Sequence, residues 1–329
     1  MSPVKFGLLG LGKITSRFAK VLQSVEDVEL TAVASRDPER TKVFARQHKA
    51  KNALESYDDL INDNDVDVIY IGLTHNFHYE FAKKCLEAHK PVLCEKPLVT
   101  NEKEARQLVE LAEKNNTLLM EAMWTRCLPA YRKAQEWVRT GMIGHVKLIT
   151  ANFCFRMDFD PNHRLFNKAL AGGSIYDVGI YPIDFAMGIM DEHPESVTGS
   201  ALIAPTGIDE SAAFSMRFAS GALASLTCGF NVLAMEDAVI YGTSGRIVLE
   251  NCFGPNTCTR YSEDGLKVLE KFKKPVRDGF EHEIRHCAEL VRQGKIESDL
   301  IPWKDTIASA AIFDDLLNQW KIKDRKSVV

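Results

Sequence analysis

Apolar residues in the first 125 positions alternate between short continuous runs and stretches with helical spacing. Five continuous runs have the length and composition of buried strands: 4–9, 28–35, 66–73, 91–94 and 118–122. In the stretches between them, apolar residues recur every three or four positions, as on one face of an amphipathic helix. Strands that alternate with helices in this way predict a parallel sheet covered by helices on both faces.

The pattern changes after Pro129, where a helix that ends near Thr140 is followed by segments of strand character. Seven such segments are predicted: 146–155, 196–203, 212–218, 222–230, 238–242, 247–250 and 267–272. Two helices, at about 280–293 and 306–320, follow the strands. The charged run 321–326 is expected to be a solvated end.

The predicted fold class is therefore α/β with two domains. Residues 1–125 are expected to form a doubly wound parallel sheet, and residues 126–329 an α+β domain with an open, mostly antiparallel sheet. Only two helices follow those later strands, and residues 222–226 place apolar side chains on both faces. An uncovered apolar sheet face favours an isologous partner, so we expect a homodimer or a dimer of dimers.

A glycine turn joins the first predicted strand to the first predicted helix. Gly10 permits a tight turn, and Gly12 lets the backbone approach a pyrophosphate bound at the helix N-terminus, near Lys13 and Ile14. The third position of this fingerprint, usually Gly or Ala, is Thr15. A simple strand–helix turn is the alternative, but the surrounding alternation of strands and helices favours an NAD(P)-binding Rossmann domain.

The end of the second strand indicates which dinucleotide is bound. An NAD-binding protein normally has a carboxylate here for the ribose 2′-hydroxyl, whereas this chain has Ser35 and Arg36. A hydroxyl and a guanidinium suit a 2′-phosphate through charge-assisted hydrogen bonds. NADP is therefore the predicted cofactor, with NAD as the alternative if Arg36 is merely a solvated residue before a helix.

Further motifs lie where the next strands end. The segment Thr74-His-Asn76-Phe-His78 follows the third predicted strand, and Glu95-Lys96-Pro97 follows the fourth. A later segment, 172–184, reads Gly-Gly-Ser-Ile-Tyr-Asp-Val-Gly-Ile-Tyr-Pro-Ile-Asp. Taken together, these motifs resemble those of the glucose–fructose oxidoreductase/inositol dehydrogenase (Gfo/Idh/MocA) family over nearly the whole chain. Ala34-Ser-Arg36, Glu121-Ala-Met-Trp-Thr-Arg126 and Tyr181 are most similar to the dihydrodiol dehydrogenase/NADP-dependent D-xylose dehydrogenase branch.

The resemblance implies hydride transfer between a nicotinamide cofactor and a sugar or vicinal diol, with a catalytic set of Lys96, Asp177 and Tyr181. The expected cofactor-binding residues are Gly10, Gly12, Lys13, Ile14, Ser35, Arg36, Leu73, Thr74, Asn76, His78, Glu95 and Lys96. The expected substrate-binding residues are Trp124, Arg126, Phe155, Arg164, Asp177 and Tyr181. Many relatives have histidine where this chain has Tyr181, which excludes a histidine-based proton relay.

Oxidation of a hydroxyl requires a hydride acceptor, which the cofactor supplies, and a base for the hydroxyl proton. Tyr181 is the candidate for proton transfer, because a neighbouring Lys96 ammonium would favour the phenolate. Asp177 shares a helix face with Tyr181 if the segment is helical, although Pro182 either begins or kinks that helix. Which of the three catalytic candidates moves the proton stays open, as does a purely structural role for Tyr181 and Asp177.

Charge and cysteine content narrow the class of protein. The chain has 41 Lys and Arg against 45 Asp and Glu, a net charge of −4, which disfavours nucleic-acid binding and basic membrane-surface binding. No charge-free apolar run is long enough for a membrane span, and the N-terminus does not resemble a signal peptide. Eight scattered cysteines without a C-x-x-C pair are typical of reduced thiols in a cytoplasmic protein.

Two alternatives belong to other functional classes. His282-Glu283-x-x-His286 matches a zinc-hydrolase motif on a predicted helix, and Asp305 has the spacing of a third ligand. We favour no metal site, because the chain already has a complete set of cofactor motifs. A non-catalytic sensor that binds the dinucleotide is the other alternative, although a sensor would not need Lys96, Asp177 and Tyr181 together.

Overall fold

The computed structural model describes residues 2–322, so most of the predicted charged tail lies outside the described residues. Within that range the chain divides into two compact units. The first contains the residues up to Val99 together with 103–123 and 277–306, and the second contains 100–102, 124–276 and the residues from Ile307 onwards. The division passes between residues 123 and 124, and it also returns 277–306 to the first unit, which the sequence does not predict.

The first unit is built on a parallel sheet. Its strands are β1 (Val4–Leu9), β2 (Val28–Ala34), β3 (Asn52–Leu54), β4 (Val68–Ile71), β5 (Val92–Glu95) and β6 (Leu119–Ala122). The strand order is β3-β2-β1-β4-β5-β6, and every pairing is parallel. The order reverses between β1 and β4, which is the point where doubly wound sheets bind ligands. Only the three-residue edge strand β3 lacks a counterpart in the prediction.

Five helices lie between the strands of this sheet, and local capping residues fix the start of two of them. They are α1 (Lys13–Leu22), α2 (Pro38–His48), α3 (Tyr57–Ile61), α4 (His78–Glu87) and most of α5 (Glu102–Lys114). Asp37 caps α2 by accepting a hydrogen bond from the Arg40 amide, with Pro38 at the first helical position. Ser56 and Asp59 form a reciprocal capping box at α3.

The second unit is built on an eight-stranded sheet. Its strands are β7 (Val146–Cys154), β8 (Pro194–Ile203), β9 (Asp209–Phe218), β10 (Leu223–Gly229), β11 (Ala238–Gly242), β12 (Gly245–Leu249), β13 (Thr257–Tyr261) and β14 (Val268–Lys273). The order is β14-β13-β12-β11-β7-β10-β9-β8, and all pairings are antiparallel except that of β7 with β10. The predicted fold class is thus confirmed, although β13 lacks a counterpart in the prediction.

One face of this sheet is covered by α7 (Ile180–Met190), which packs on β7 and β10. Ten of its eleven residues, Ile180 to Ile189, are buried, so the helix is buried all round rather than amphipathic. Along β9 the side chains alternate cleanly, with Phe214 and Met216 buried and Ser215 and Arg217 exposed. The helix α6 (Pro129–Arg139) packs beside α7.

The helix α8 (Phe280–Arg292) packs on α1 and β1 of the first unit. Phe280 is buried with its ring centroid 5.8 Å from that of Phe18 in α1, and Ile284 is fully buried. This apolar contact explains why α8 leaves the sheet domain that precedes it in the chain. No helix within the described part of the chain combines the length and apolarity that a bilayer span requires.

Candidate active site

The glycine turn after β1 has the steric features of a dinucleotide site. Gly10 has a φ of 86°, and a side chain there would meet Leu73 at 2.5 Å, so only glycine fits. Beside Gly12 the space is open: a Cβ would meet only the Gly72 carbonyl oxygen, at 3.9 Å. No side chain among the described residues caps α1 at Gly12, which leaves its first N–H groups to bind an anion. Lys13 and Ile14 form this first turn.

Thr15, the departure from the usual third glycine, is accommodated by another glycine. Its side chain is fully buried, and its hydroxyl donates to the Gly72 carbonyl oxygen at 3.5 Å. A Cβ on Gly72 would lie 2.2 Å from the Thr15 hydroxyl oxygen. The close approach of helix and strand is therefore preserved, with the small residue moved to the end of β4.

The turn after β2 presents two guanidinium groups rather than one. Arg36 is exposed, with its guanidinium carbon 5.9 Å from the Phe77 ring centroid. Arg40, one turn into α2, donates to the Leu11 carbonyl oxygen of the glycine turn at 2.5 Å. Sequence reasoning missed Arg40, although its position four residues after Arg36 on a predicted helix was a usable signal.

The Ser35 hydroxyl, expected to bind the 2′-phosphate, is instead bonded within its own turn. Its side chain is buried, and its hydroxyl oxygen lies 2.8 Å from the Thr41 hydroxyl oxygen and accepts from the Asp37 amide at 3.2 Å. The hydroxyl also donates to the Asp37 carbonyl oxygen at 2.9 Å. Because one hydroxyl has a single proton and two lone pairs, these contacts use most of its capacity. Ser35 therefore shapes the turn that presents Arg36.

The turns after β4 and β5 are tied together by His78. This fully buried ring lies with Nδ1 2.8 Å from the Pro97 carbonyl oxygen and Nε2 3.1 Å from the Leu73 carbonyl oxygen. Carbonyl oxygens only accept, so both bonds form at once only when the ring is doubly protonated. Nearby, the Thr74 hydroxyl donates to Asn76 Oδ1 at 2.8 Å. His78 thus holds the predicted cofactor-binding turn against the turn that carries Lys96.

Glu95 is the last residue of β5 and is directly followed by Lys96, and Glu95 belongs to a buried acidic cluster. Tyr70 of β4 donates to Glu95 Oε1 at 2.7 Å, and burial together with this carboxylate raises the pKa of Tyr70 well above its usual value. Burial, with the charge of Glu95, also raises the pKa of the fully buried Glu283. Lys96 itself is half-buried at the carboxyl end of the sheet, where ligands bind in this architecture.

The zinc-hydrolase motif in α8 is explained by this packing. Glu283 points into the core of the first unit, and neither of its carboxyl oxygens has a hydrogen-bond partner among the described residues. His286 lies with Nε2 2.7 Å from the Ser298 hydroxyl. Within residues 2–322, no group of three or more His, Cys, Asp or Glu side chains is arranged to hold a metal ion. The motif's glutamate is therefore a core residue of the first unit.

In the second unit, Tyr181 is surrounded by aromatic rings. Trp124 Nε1 donates to the Tyr181 hydroxyl at 3.3 Å. The ring centroids of Phe153 and Phe253 lie 5.4 and 5.8 Å from that of Tyr181, and these two phenylalanines stack at 4.0 Å. Such a wall suits the flat apolar face of a sugar or of an arene diol. We call Trp124, Phe153 and Phe253 the aromatic wall.

Two members of the aromatic wall were missed in the sequence. Phe153 lies two residues before the predicted Phe155 and so on the same face of β7, a signal that was available. Phe253 lies in a loop without periodicity. Its backbone N–H donates a hydrogen bond to Asn251 Oδ1 at 3.0 Å, and its carbonyl oxygen accepts one from the Thr125 hydroxyl. Phe155 packs instead against a buried cluster that includes Phe230.

Asp177 and Tyr181 lie in one segment but have different partners. Asp177 is buried and its Oδ1 accepts from Arg164 at 3.0 Å, while the Arg164 side chain remains 45% exposed. Arg126, predicted to contact substrate, is instead buried in a bidentate ion pair with Asp184 at 2.7 and 2.8 Å. This segment of the second unit thus carries two groups: Asp177 with Arg164, and Tyr181 with the aromatic wall. Arg126 supports the helix behind them.

Comparisons with known proteins identify the family of this chain. Residues 4–123 match the Gfo/Idh/MocA oxidoreductase family, described by its NAD-binding Rossmann fold, and residues 131–248 match the Gfo/Idh/MocA C-terminal domain. The chain belongs to the Gfo/Idh/MocA oxidoreductase family. The resemblance inferred from the motifs is confirmed, and as a member of this family the chain is an oxidoreductase with a nicotinamide dinucleotide as cofactor.

Relatives within the Gfo/Idh/MocA family extend over almost the whole chain. It is 32% identical to a trans-1,2-dihydrobenzene-1,2-diol dehydrogenase of Xenopus tropicalis over 96% of this chain and 97% of that protein. The corresponding enzyme of Homo sapiens is 32% identical over 95% and 96% of the two chains. Among solved structures, a 3-ketoreductase of Actinomadura kijaniata in complex with NADP and TDP-benzene is 25% identical, with a TM-score of 0.84 over 97% and 98% of the chains. An aldose–aldose oxidoreductase of Caulobacter crescentus, 22% identical with a TM-score of 0.88 over 97% and 98%, shares the fold.

Proposed function

We propose that this oxidoreductase is an NADP-dependent dehydrogenase that acts on a hydroxyl or carbonyl carbon of a sugar or vicinal diol. The observation that carries the proposal is the Tyr181 hydroxyl, held by Trp124 at 3.3 Å within an aromatic wall and one helical turn from Asp177. The names of the relatives, which act on dihydrobenzene diols, support the same substrate class.

The residues of the first unit fit a bound NADP. The open space beside Gly12 and the free N-terminal turn of α1 suit its pyrophosphate, and Arg36 and Arg40 suit its 2′-phosphate. When bound, this cofactor accepts or supplies the hydride. The Leu73–Asn76 turn and the Glu95–Lys96 turn lie at the same carboxyl edge of the sheet and are proposed to flank the nicotinamide half.

The chain's own residues are proposed to handle the proton and the orientation of the substrate. Tyr181 accepts the hydroxyl proton in oxidation and returns it in reduction, and Lys96 binds the same substrate oxygen. Asp177, paired with the exposed Arg164, binds a neighbouring hydroxyl of the sugar or diol. The aromatic wall excludes water from one side of the reacting carbon.

Both guanidinium groups after β2 are expected to select NADP over NAD. Arg36→Ala should weaken NADP binding by about 1.5–3 kcal/mol, the value of a hydrogen bond to a charged group, and leave NAD binding almost unchanged. Arg40→Ala should weaken NADP binding by a similar amount, with a smaller loss for NAD because it also removes the bond to Leu11 in the glycine turn. Fluorescence titration with both cofactors measures this difference. Lys42→Ala is the matched control, because Lys42 lies on the same helix but pairs with Glu39 at 2.8 Å. Equal affinities of the unmodified protein for NADP and NAD would contradict the assignment.

Substrate turnover separates a dehydrogenase from a dinucleotide-binding sensor. The protein should be incubated with NADP or NADPH and a panel of pyranoses, inositols, aromatic diols and their carbonyl counterparts. Absorbance of the reduced nicotinamide then reports oxidation or reduction directly. Tight NADP binding without turnover of any member of the panel would favour the sensor.

We further propose that the protein is a homodimer, or a dimer of dimers, formed through the outer face of the eight-stranded sheet. Strand pairing places Leu223, Leu148 and Tyr241 side by side across β10, β7 and β11 on one face. Leu223 is 48% exposed, and Tyr241 is 36% exposed. A cross-strand apolar row of this kind favours an isologous partner.

Light scattering should therefore report a dimer or tetramer at micromolar concentration. Leu223→Arg should dissociate it, because two-fold symmetry brings the new charge close to its copy in a desolvated interface. Leu266→Arg is the control, since Leu266 lies in the turn between β13 and β14 and is 86% exposed. A monomeric unmodified protein would refute the proposed assembly.

A cytoplasmic location is proposed from the cysteines. All eight are free thiols and all are buried, so none pairs in a disulfide. Burial raises the pKa of Cys85 to about 12, and it raises the pKa of Cys287 further, which keeps these thiols protonated and unreactive. Eight unpaired cysteines are typical of proteins kept in a reducing compartment.

A further inference from the structure

The segment that carries Asp177 and Tyr181 begins with an irregular turn. Residues Ile175–Gly179 form one turn of π-helix, which runs directly into α7, with Pro182 in the first turn of the regular helix. A π turn contains one more residue than an α turn, and such single turns are frequent at functional sites. The extra residue rotates the side chains that follow it relative to those that precede it. The directions of Asp177 and Tyr181 therefore depend on where the π turn begins.

The start of the π turn is held by Asp209, the first residue of β9. Its Oδ2 accepts from the Ser174 hydroxyl at 2.9 Å and from the Ile175 amide at 2.6 Å. The side chain is fully buried, so these donors are satisfied inside the protein rather than by solvent. One carboxylate oxygen thus receives both a side-chain and a backbone donor at the first residues of the segment.

The end of the turn is fixed by the neighbouring strand. A Cβ on Gly179 would lie 2.9 Å from Ile175 Cδ1 and 3.0 Å from the sulfur of Cys228 in β10. Cys228 Sγ also lies 3.5 Å from the Ser174 hydroxyl oxygen. With Asp209 at one end and this close packing at the other, the turn has little room to slide into a regular α register.

We propose that Asp209 is a positioning residue for the reaction. Its carboxylate fixes the first residue of the π turn and thereby directs Asp177 towards Arg164 and Tyr181 towards the aromatic wall. Asp209 itself touches neither substrate nor cofactor. The inference rests on the proposed catalytic role of Tyr181, but the placement of the Tyr181 ring can be measured without any activity.

If Asp209 only stabilised the fold, its substitution would give a different experimental result. Its removal would lower the melting temperature while the surviving folded molecules kept their kcat and the environment of Tyr181. A positioning residue instead lowers kcat at temperatures where the variant is fully folded, because small misplacements of a reacting group are costly, up to about 100-fold for 1 Å. NADP binding should be unchanged, since the dinucleotide-binding residues belong to the first unit.

The experiment compares Asp209→Asn with Ser174→Ala and Tyr181→Phe in the full-length protein. The indole N–H resonance of Trp124, assigned through Trp124→Phe, reports the bond to the Tyr181 hydroxyl without turnover. We expect Asp209→Asn to lower kcat about 10- to 100-fold with NADP affinity within about twofold, and to shift this resonance as Tyr181→Phe does. Ser174→Ala removes one hydrogen-bond donor and keeps the Asp209 carboxylate, so the loss of kcat and the shift of the resonance should both be smaller. Ser56→Ala, which removes the cap of α3, should lower the melting temperature and leave kcat unchanged.

The results test the positioning role of Asp209 separately from the catalytic role of Tyr181. If Asp209→Asn folds and keeps both its kcat and an unshifted Trp124 resonance, Asp209 is not a positioning residue. If that variant does not fold, Ser174→Ala decides: an unshifted resonance with unchanged kcat overturns the inference. If Asp209→Asn shifts the Trp124 resonance while Tyr181→Phe keeps full activity, Asp209 still positions the Tyr181 ring. The catalytic assignment of Tyr181 is then refuted.

Discussion

Tyr181→Phe is expected to lower kcat by about 10²–10⁴-fold, the usual contribution of general acid–base catalysis, while NADP binds as before. The substitution removes only the hydroxyl, and the ring keeps its packing against Phe153 and Phe253. Single-turnover measurement of nicotinamide absorbance under substrate saturation isolates the chemical step. A folded variant with most of its activity would show that Tyr181 is structural and that the proton passes through Lys96 or Asp177.

Asp177→Asn distinguishes the roles of the two groups in this segment. If the carboxylate only binds substrate and holds Arg164, the variant should lose less kcat than Tyr181→Phe and should raise KM. Tyr131→Phe is a matched tyrosine control, because Tyr131 is buried in α6 of the same unit and its hydroxyl lies 3.5 Å from the Phe185 carbonyl oxygen. That control should keep the kcat of the unmodified protein. A loss in Asp177→Asn larger than in Tyr181→Phe would assign the proton to the carboxylate.

Lys96→Met is expected to lower kcat by about 10²–10³-fold, the range measured when one donor to a reacting oxygen is removed. Methionine keeps most of the side-chain length but removes the ammonium. NADP should still bind, because the glycine turn, Arg36 and Arg40 are unchanged. Pre-steady-state absorbance and cofactor titration together test both statements, with Lys90→Met as the control at the opposite end of β5. Lys90 donates to the carbonyl oxygens of Asp63 and Val66.

The pH profile should change in a defined direction when Lys96 is removed. An ammonium near the proton-transferring group favours its ionised form, so loss of the ammonium raises the pKa of that group. In the reduction direction this group must be protonated, and activity falls as pH rises through its pKa. That limb of the kcat/KM profile should therefore move to higher pH in Lys96→Met. An unmoved limb together with the lost activity would assign Lys96 to substrate orientation alone.

Local patterns in the sequence were sufficient for most of the helices and strands and for the glycine turn after β1. Apolar runs and helical spacing predict β1 as Val4–Leu9 without error, and Asp37-Pro38 predicts the start of α2. Gly10 and Gly12 predict the turn, because their requirement is one of backbone conformation and close approach. These features depend on neighbouring residues along the chain, so spacing alone carries the information.

Contacts between distant segments were decided only by the tertiary structure. Phe253 reaches Tyr181 through a loop without periodicity, and Arg126 is paired with Asp184 rather than available to substrate. The zinc-like motif of α8 is resolved in the same way, because Glu283 is buried beside a strand end that lies far away in the sequence.

The sequence by itself determined the fold class, the family and the candidate catalytic set Lys96, Asp177 and Tyr181. The tertiary structure decided what surrounds them. Arg40 reaches the glycine turn, Asp209 holds the start of the π turn, and residues 277–306 return to the first unit. The physical reason is the sequence separation of the interacting residues, because turn and helix signals act over only a few residues. Packing and hydrogen bonds across the fold depend on where the chain brings its remote segments together.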